Sequence, residues 1–124
     1  MIKSSLPPIL TSEFGPDSIE LRLLVAADLE YFNGHFPEQA VLPGVTQLDW
    51  AVRLGCEHFG YNAAVANLEV LKFKQLILPG QEVTLVISHN AAKEKLTFAY
   101  SDGDHRYASG RISFASKQGD GAAQ

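Results

Sequence analysis

The chain is expected to be an α+β domain in which an antiparallel sheet encloses one long helix. Three observations point there. Residues from about Pro43 to Phe59 have helical spacing and are apolar most of the way round, the pattern of a helix enclosed on several sides. Stretches before and after it alternate apolar and polar residues, as half-buried strands do. Pro79-Gly80 and Asp102-Gly103 then punctuate the downstream strands with turn signals.

In order, Pro7-Pro8 and Gly15-Pro16 mark irregular structure with a short edge strand between them. From Ser18 to Val25, Ile19, Leu21, Leu23 and Val25 alternate with Glu20 and Arg22 and predict a strand. Asp28 to Phe32 suits one helical turn. Pro43 opens the long helix, as proline can at the first helical position, and Gly60 is placed to cap it. On this helix Val45, Leu48, Val52, Cys56 and Phe59 form the main apolar stripe, while Trp50, Ala51 and Leu54 cover other faces. Four strands follow: Val65 to Leu78 with a bend or bulge near Leu71–Lys74, Glu82 to Ser88, Lys95 to Tyr100, and Arg106 to Ala115 with a bulge at Gly110. One domain is expected over residues 1–115, with residues 116–124 (SKQGDGAAQ) as a disordered tail.

Composition narrows the function. The chain has 124 residues, 46% apolar and 19% charged, which suits a single globular domain. A formal net charge of −4 argues against general nucleic-acid binding, which needs a basic face. The single cysteine, Cys56, permits no internal disulfide and fits a reducing compartment, the cytoplasm. It is read as a small core residue, with no basic group beside it to make it a nucleophile. Residues 1–16 hold no continuous apolar region and no run reaches the length of a membrane span, so neither a secretory signal nor an anchor is expected. His58, His89 and His105 have no metal-ligand spacing and are read as surface or structural.

The chemistry concentrates in YFNGHFPEQAVLPGVTQLD, Tyr31 to Asp49. Asp49 falls within the helix's main apolar stripe. Burial raises the pKa of a carboxylic acid and can leave it protonated near neutrality, and proteins rarely bury an acid without a partner or a task. Asp49 either caps a buried turn or pairs with Arg53, or it serves the reaction. His35 lies between Gly34, which permits tight backbone geometry, and Phe36-Pro37, where proline restricts the preceding residue to extended conformations. A histidine on such a stiff loop before a helix is a general-base candidate.

GHFP, a short gap, then LPGV and an acid five residues after the glycine resemble the signature of the 3-hydroxyacyl-[acyl-carrier-protein] dehydratases. The resemblance extends more loosely over about residues 17–115. One branch of that family carries glutamate at the acid position. The other, which can also isomerise the double bond, carries aspartate. Asp49 matches the second branch and His35-Phe36-Pro37 the first, a mixture that looks most like the small (ApeI-like) dehydratases of aryl polyene pathways. The resemblance implies a hotdog fold and dehydration of 3-hydroxyacyl chains to trans-2-enoyl chains, with no metal or organic cofactor. The substrate would arrive on the phosphopantetheine of an acyl carrier protein. It also implies a dimer, homomeric or with a related hotdog subunit, in which His35 and Asp49 meet from different subunits.

Within that frame His35 is the base and Asp49 polarises the departing hydroxyl. The Gly44 amide, in the first helical turn, would bind the thioester carbonyl, since unsatisfied N–H groups and the dipole favour an oxyanion there. Val41's backbone would fix the histidine tautomer, with Phe36 and Pro43 completing the substrate-binding set. Two residues depart from the pattern. Arg53 stands where many relatives have glutamine, and either pairs with Asp49 or points outward toward the phosphopantetheine arm. Trp50 replaces a small residue and either lines the acyl tunnel or packs in the core. Carrier proteins are acidic, so a docking face should be locally basic; Arg53, Lys72 and Lys74 are the docking candidates, with Arg106 and Arg111 beside them. Two other functions share the fold: an acyl thioesterase, against which the His-then-acid order counts, and a partner subunit of a heterodimeric dehydratase, supplying shape or one site residue.

Overall fold

The computed structural model describes residues 6–25, 42–62 and 66–114. Its elements are β1 (Ile9–Phe14), β2 (Ser18–Leu24), α1 (Gly44–Phe59), β3 (Ala66–Phe73), β4 (Glu82–Asn90), β5 (Lys95–Asp102) and β6 (His105–Phe114). The strands form one antiparallel sheet in the order β1-β2-β4-β5-β6-β3. One face of this sheet packs on α1, which is the hotdog architecture. The expected tail, residues 116–124, and the turn at Asp28–Phe32 lie outside the described residues.

Alternation builds the core. Ile19, Leu21 and Leu23 of β2, Val83, Leu85 and Ile87 of β4, and Leu96, Phe98 and Tyr100 of β5 all turn toward α1 and are buried. Each such aliphatic side chain contributes roughly 1.5–3 kcal/mol on burial. From the helix, Trp50, Ala51 and Leu54 fill the same core, with Trp50 fully covered. Gly55 lets the helix approach closely: a Cβ there would lie 2.9 Å from Leu96 Cδ1 and 3.3 Å from Ile87 Cγ2.

Several expectations need correction. The residues α1 buries are Thr46, Gln47, Trp50, Ala51, Leu54, Gly55 and Cys56; of the expected stripe Cys56 is in the core, Leu48, Val52 and Phe59 are partly buried against it, and Val45 is exposed. Both sides of the helix are apolar, and Trp50 with Leu54 carries the larger volume into the core. Pro43 is the N-cap and Gly44 the first helical residue: Pro43 is extended (φ −61°, ψ 145°) and its carbonyl accepts from the Thr46 and Gln47 amides. The C-terminus is as expected, with Gly60 left-handed at φ 82° and its amide donating to the Cys56 carbonyl at 2.8 Å.

In the sheet, β3 ends at Phe73 rather than at Leu78. Beyond it Ile77 turns into the core, and its carbonyl accepts from the Leu42 amide at 2.7 Å, just ahead of the helix. The β3 irregularity lies between Leu68 and Val70, and the one in β6 opposite Tyr100/Ser101. Gly110 is in register with both neighbours. It is glycine because a Cβ would fall 2.6 Å from Phe98 Cε2 and 2.8 Å from the Val70 carbonyl oxygen. The β5–β6 hairpin turns at Gly103-Asp104, one residue later than expected, since Asp102 still pairs with His105 and Gly103 supplies the positive φ of 58°.

Candidate functional site

The helix side of the site is in view; His35, Phe36 and Val41 lie outside the described residues. Pro43 directs the chain into α1 and leaves Gly44 in the first turn, where amides have no intrahelical acceptor. The half-exposed ring of Phe73 closes over Gly44, and a Cβ there would meet Phe73 Cζ at 2.8 Å. A side chain at this position would have to displace the Phe73 ring at the contact between the edge strand and the helix start.

Asp49 follows about one and a half turns later. At about 100° per residue it sits about 160° round the helix from Ala51, away from the sheet. Its side chain is nonetheless only 10% exposed, and Arg53 Nη1 donates to its Oδ2 at 3.2 Å. This resolves the alternatives left open for Arg53: it pairs with Asp49 across one helical turn. Val45, on the same side, is 67% exposed. An acid held by a cation is thus surrounded by partly open apolar helix surface.

The opposite side of the helix start is held by groups that sequence reasoning missed. Tyr100 Oη donates to the Gln47 carbonyl at 2.6 Å, and Gln47 Nε2 donates to the Leu42 carbonyl at 3.2 Å. Gln47 Oε1 is buried with no hydrogen-bond partner. The available signals were a tyrosine at a core position of β5 and a polar residue on the apolar face of α1. Trp50 resolves as a core aromatic rather than a tunnel wall.

Lys72 is on the sheet face opposite α1, in register with Ser109, and Lys74 follows the end of β3. Of the other histidines, His58 stacks on Phe14 at 5.2 Å, His105 on Tyr107 at 6.5 Å, and His89 Nε2 bonds Tyr61 Oη at 2.8 Å. Burial, with Glu94 nearby, pushes the Tyr61 phenol up. Burial likewise pushes the Cys56 thiol up, away from the thiolate a nucleophile needs. No described helix is long and apolar enough to cross a membrane.

Comparison with known proteins gives the family. A model described as ApeI-like, ApeI dehydratase, matches residues 11–111. A 3-hydroxyacyl-[acyl-carrier-protein] dehydratase FabZ from Bacillus thuringiensis (strain Al Hakam) is 34% identical over 70 residues, 51% of this chain and 49% of that protein. The chain thus spans about half the length of the curated relatives it matches. A crystal structure of an uncharacterized protein from Erwinia carotovora subsp. atroseptica is 37% identical, with TM-score 0.72, over 90% of this chain and 97% of that one. The dehydratase heterocomplex ApeI:P from Xenorhabdus doucetiae matches at 28% identity and TM-score 0.78, over 90% and 99%. The PpsC dehydratase domain from Mycobacterium tuberculosis, at 13% identity and TM-score 0.71 over 92% and 46%, shares the fold alone. The chain that turns an antiparallel sheet around α1 and carries Asp49 on it belongs to the ApeI-like dehydratase family.

Proposed function

We propose that this chain removes water from 3-hydroxyacyl thioesters carried on an acyl carrier protein, giving trans-2-enoyl thioesters in the synthesis of fatty-acid-like or aryl polyene chains. The observation that carries the reading is Asp49. A covered carboxylate on the side of α1 away from the sheet, beyond the Gly44 turn, is what the reaction needs beside a departing hydroxyl. His35 takes the proton from the carbon next to the carbonyl. The C–H electron pair becomes the new double bond, the C–O bond at the third carbon breaks, and the departing hydroxyl, oriented by Asp49, takes the abstracted proton back from the His35 imidazolium. Proton and hydroxyl leave together as one water, so the enzyme ends as it began. The Gly44 amide stabilises charge on the thioester oxygen, Pro43 and Phe36 shape the entry, and Val41 holds the imidazole. Arg53 engages Oδ2 and so steers Oδ1 toward the hydroxyl. The reaction requires no metal or organic cofactor, since the pantetheine arm arrives with the substrate, and it belongs to the cytoplasm.

The chain also acts with a second hotdog subunit, identical or related. Leu68, Leu71 and Phe73 on the open edge strand β3 are exposed, as is Val45 at the helix start. An exposed apolar edge of this kind calls for a partner. The similarity to a subunit of the ApeI:P dehydratase heterocomplex supports a different subunit as one form of that partner.

Product analysis separates the readings. Incubated with a 3-hydroxyacyl carrier protein, the enzyme is expected to build the absorbance of a conjugated enoyl thioester without releasing thiol. Thiol release with no enoyl product would instead mark a thioesterase.

A further inference from the structure

The start of α1 lacks the usual cap. Pro43 stands at the N-cap with no side-chain hydrogen bond to the first turn. A Gln or Glu near the start of a helix commonly reaches back to the N–H of the N-cap residue, but proline has none. Gln47 Nε2 donates instead to the carbonyl of Leu42, one residue earlier, at 3.2 Å. That contact fixes the orientation of the amide, since the reverse would set Gln47 Oε1 against the Leu42 oxygen.

Leu42 is thereby pinned on both sides. Its N–H donates to the Ile77 carbonyl at 2.7 Å and its carbonyl accepts from Gln47. Gln47 is itself tied to the sheet, its main-chain carbonyl accepting from Tyr100 Oη at 2.6 Å. Leu42, Gln47, Ile77 and Tyr100 are all buried, and hydrogen bonds in such surroundings are stronger than in water. The peptide units on either side of Leu42 are planar and rigid. Holding the N–H of one and the carbonyl of the other fixes φ and ψ at Leu42, and with them the path by which the chain enters the helix. The first unit also contains the Val41 carbonyl, which holds the imidazole in the proposed reaction. The second leads through Pro43 to the Gly44 amide.

The arrangement is not the most stable one open to this core. Gln47 is 3% exposed, and among the described residues its Oε1 has no hydrogen-bond partner. A buried acceptor left unpaired is destabilising. A single side-chain hydrogen bond does not offset the desolvation of a whole amide. Stability alone therefore does not account for glutamine here, and local rules are broken in this way chiefly at functional sites.

We propose that Gln47 is a positioning residue of the reaction: tethered by Tyr100, it fixes the Leu42 peptide so that the His35 imidazole and the Gly44 amide are held in one mutual geometry. The proposal rests on the dehydratase reading. Gln47 and Asp49 lie about 160° apart round the helix, so Gln47 braces the helix start from the sheet side while Asp49 faces away.

The test compares wild type with Gln47→Met, which keeps the side-chain length and loses the donor, and Tyr100→Phe, which loses only the tether. kcat and KM are measured on a 3-hydroxyacyl carrier protein with the partner subunit present. The acyl chain is used with hydrogen or deuterium at the carbon next to the carbonyl, and unfolding is followed by circular dichroism. Gln47→Met exchanges one unpaired buried carbonyl, that of Gln47, for another, that of Leu42, so its melting temperature should stay within about 5 °C of wild type. Its kcat is expected to fall roughly tenfold to a hundredfold, the scale of a misplaced reacting group, with KM within about twofold. The deuterium isotope effect on kcat should be at least as large as in wild type, because the slowed step is proton removal. Tyr100→Phe should lose about threefold or more in kcat at constant KM, and it decides the matter where Gln47→Met does not fold. Wild-type kcat in the variant that folds would overturn the proposal. So would a loss of kcat that matches the loss of folded protein at the assay temperature, or a rise in KM alone. A wild type that removes no water would overturn the dehydratase reading, and this role with it.

Discussion

Asp49 is nearly covered, yet it stands on the side of α1 turned away from the sheet, and Arg53 is the cation that holds it. The two are one helical turn apart, a spacing at which side chains meet. With the carboxylate 10% exposed and the guanidinium 33% exposed, the pair is neither a surface bridge of negligible value nor a buried one. Arg53→Gln is therefore expected to cost about 0.5–1.5 kcal/mol in chemical denaturation near neutral pH, and little or nothing in an Asp49→Asn background. Equal costs in both backgrounds would show that Arg53 acts through something other than Asp49. The acid itself was legible in the sequence, because its spacing from His35 and Gly44 is a motif. The partner of Arg53 was not, since pairing with Asp49 and pointing outward are both open to a flexible guanidinium at that position. Gln47, Tyr100 and Phe73 were missed because their contacts join residues far apart in the chain.

The helix and strands were legible from periodicity, since alternation and helical spacing report burial directly. Which side of α1 meets the sheet was not. Val45–Leu48–Val52 and Trp50–Ala51–Leu54 are both apolar, and only packing against Leu96 and Ile87 at Gly55 selects between them. The sheet irregularities were misplaced for the same reason: Gly110 reads as a bulge in one dimension and is a seat for the Phe98 ring in three. Edge strand β3 carries its own prediction. Its α1-side residues Leu71 and Phe73 remain exposed, and a charge there should block an edge-to-edge or face-covering partner. Leu71→Lys is expected to halve the mass seen by light scattering while keeping the far-UV circular dichroism of wild type. A wild type that is already monomeric, or a variant that stays dimeric, would contradict an interface along β3.

At the scale of the whole molecule, the fold separates two kinds of surface. The edge at β3 and the outward side of α1 are apolar and hold Asp49, whereas the opposite sheet face gathers Lys72, Lys93, Lys95 and Arg111. The net charge of −4 hides that division; only strand register brings cations from β3, the β4–β5 turn, β5 and β6 to one face. The central claim is that His35 and Asp49 act together in removing water. Single-turnover mass spectrometry of a 3-hydroxyacyl carrier protein tests it most directly, comparing wild type with His35→Ala and Asp49→Asn, each with its partner subunit present. The account predicts loss of one water from the acyl chain with wild type and at least roughly a hundredfold slower loss with either variant. Wild-type rates that survive His35→Ala or Asp49→Asn would contradict it.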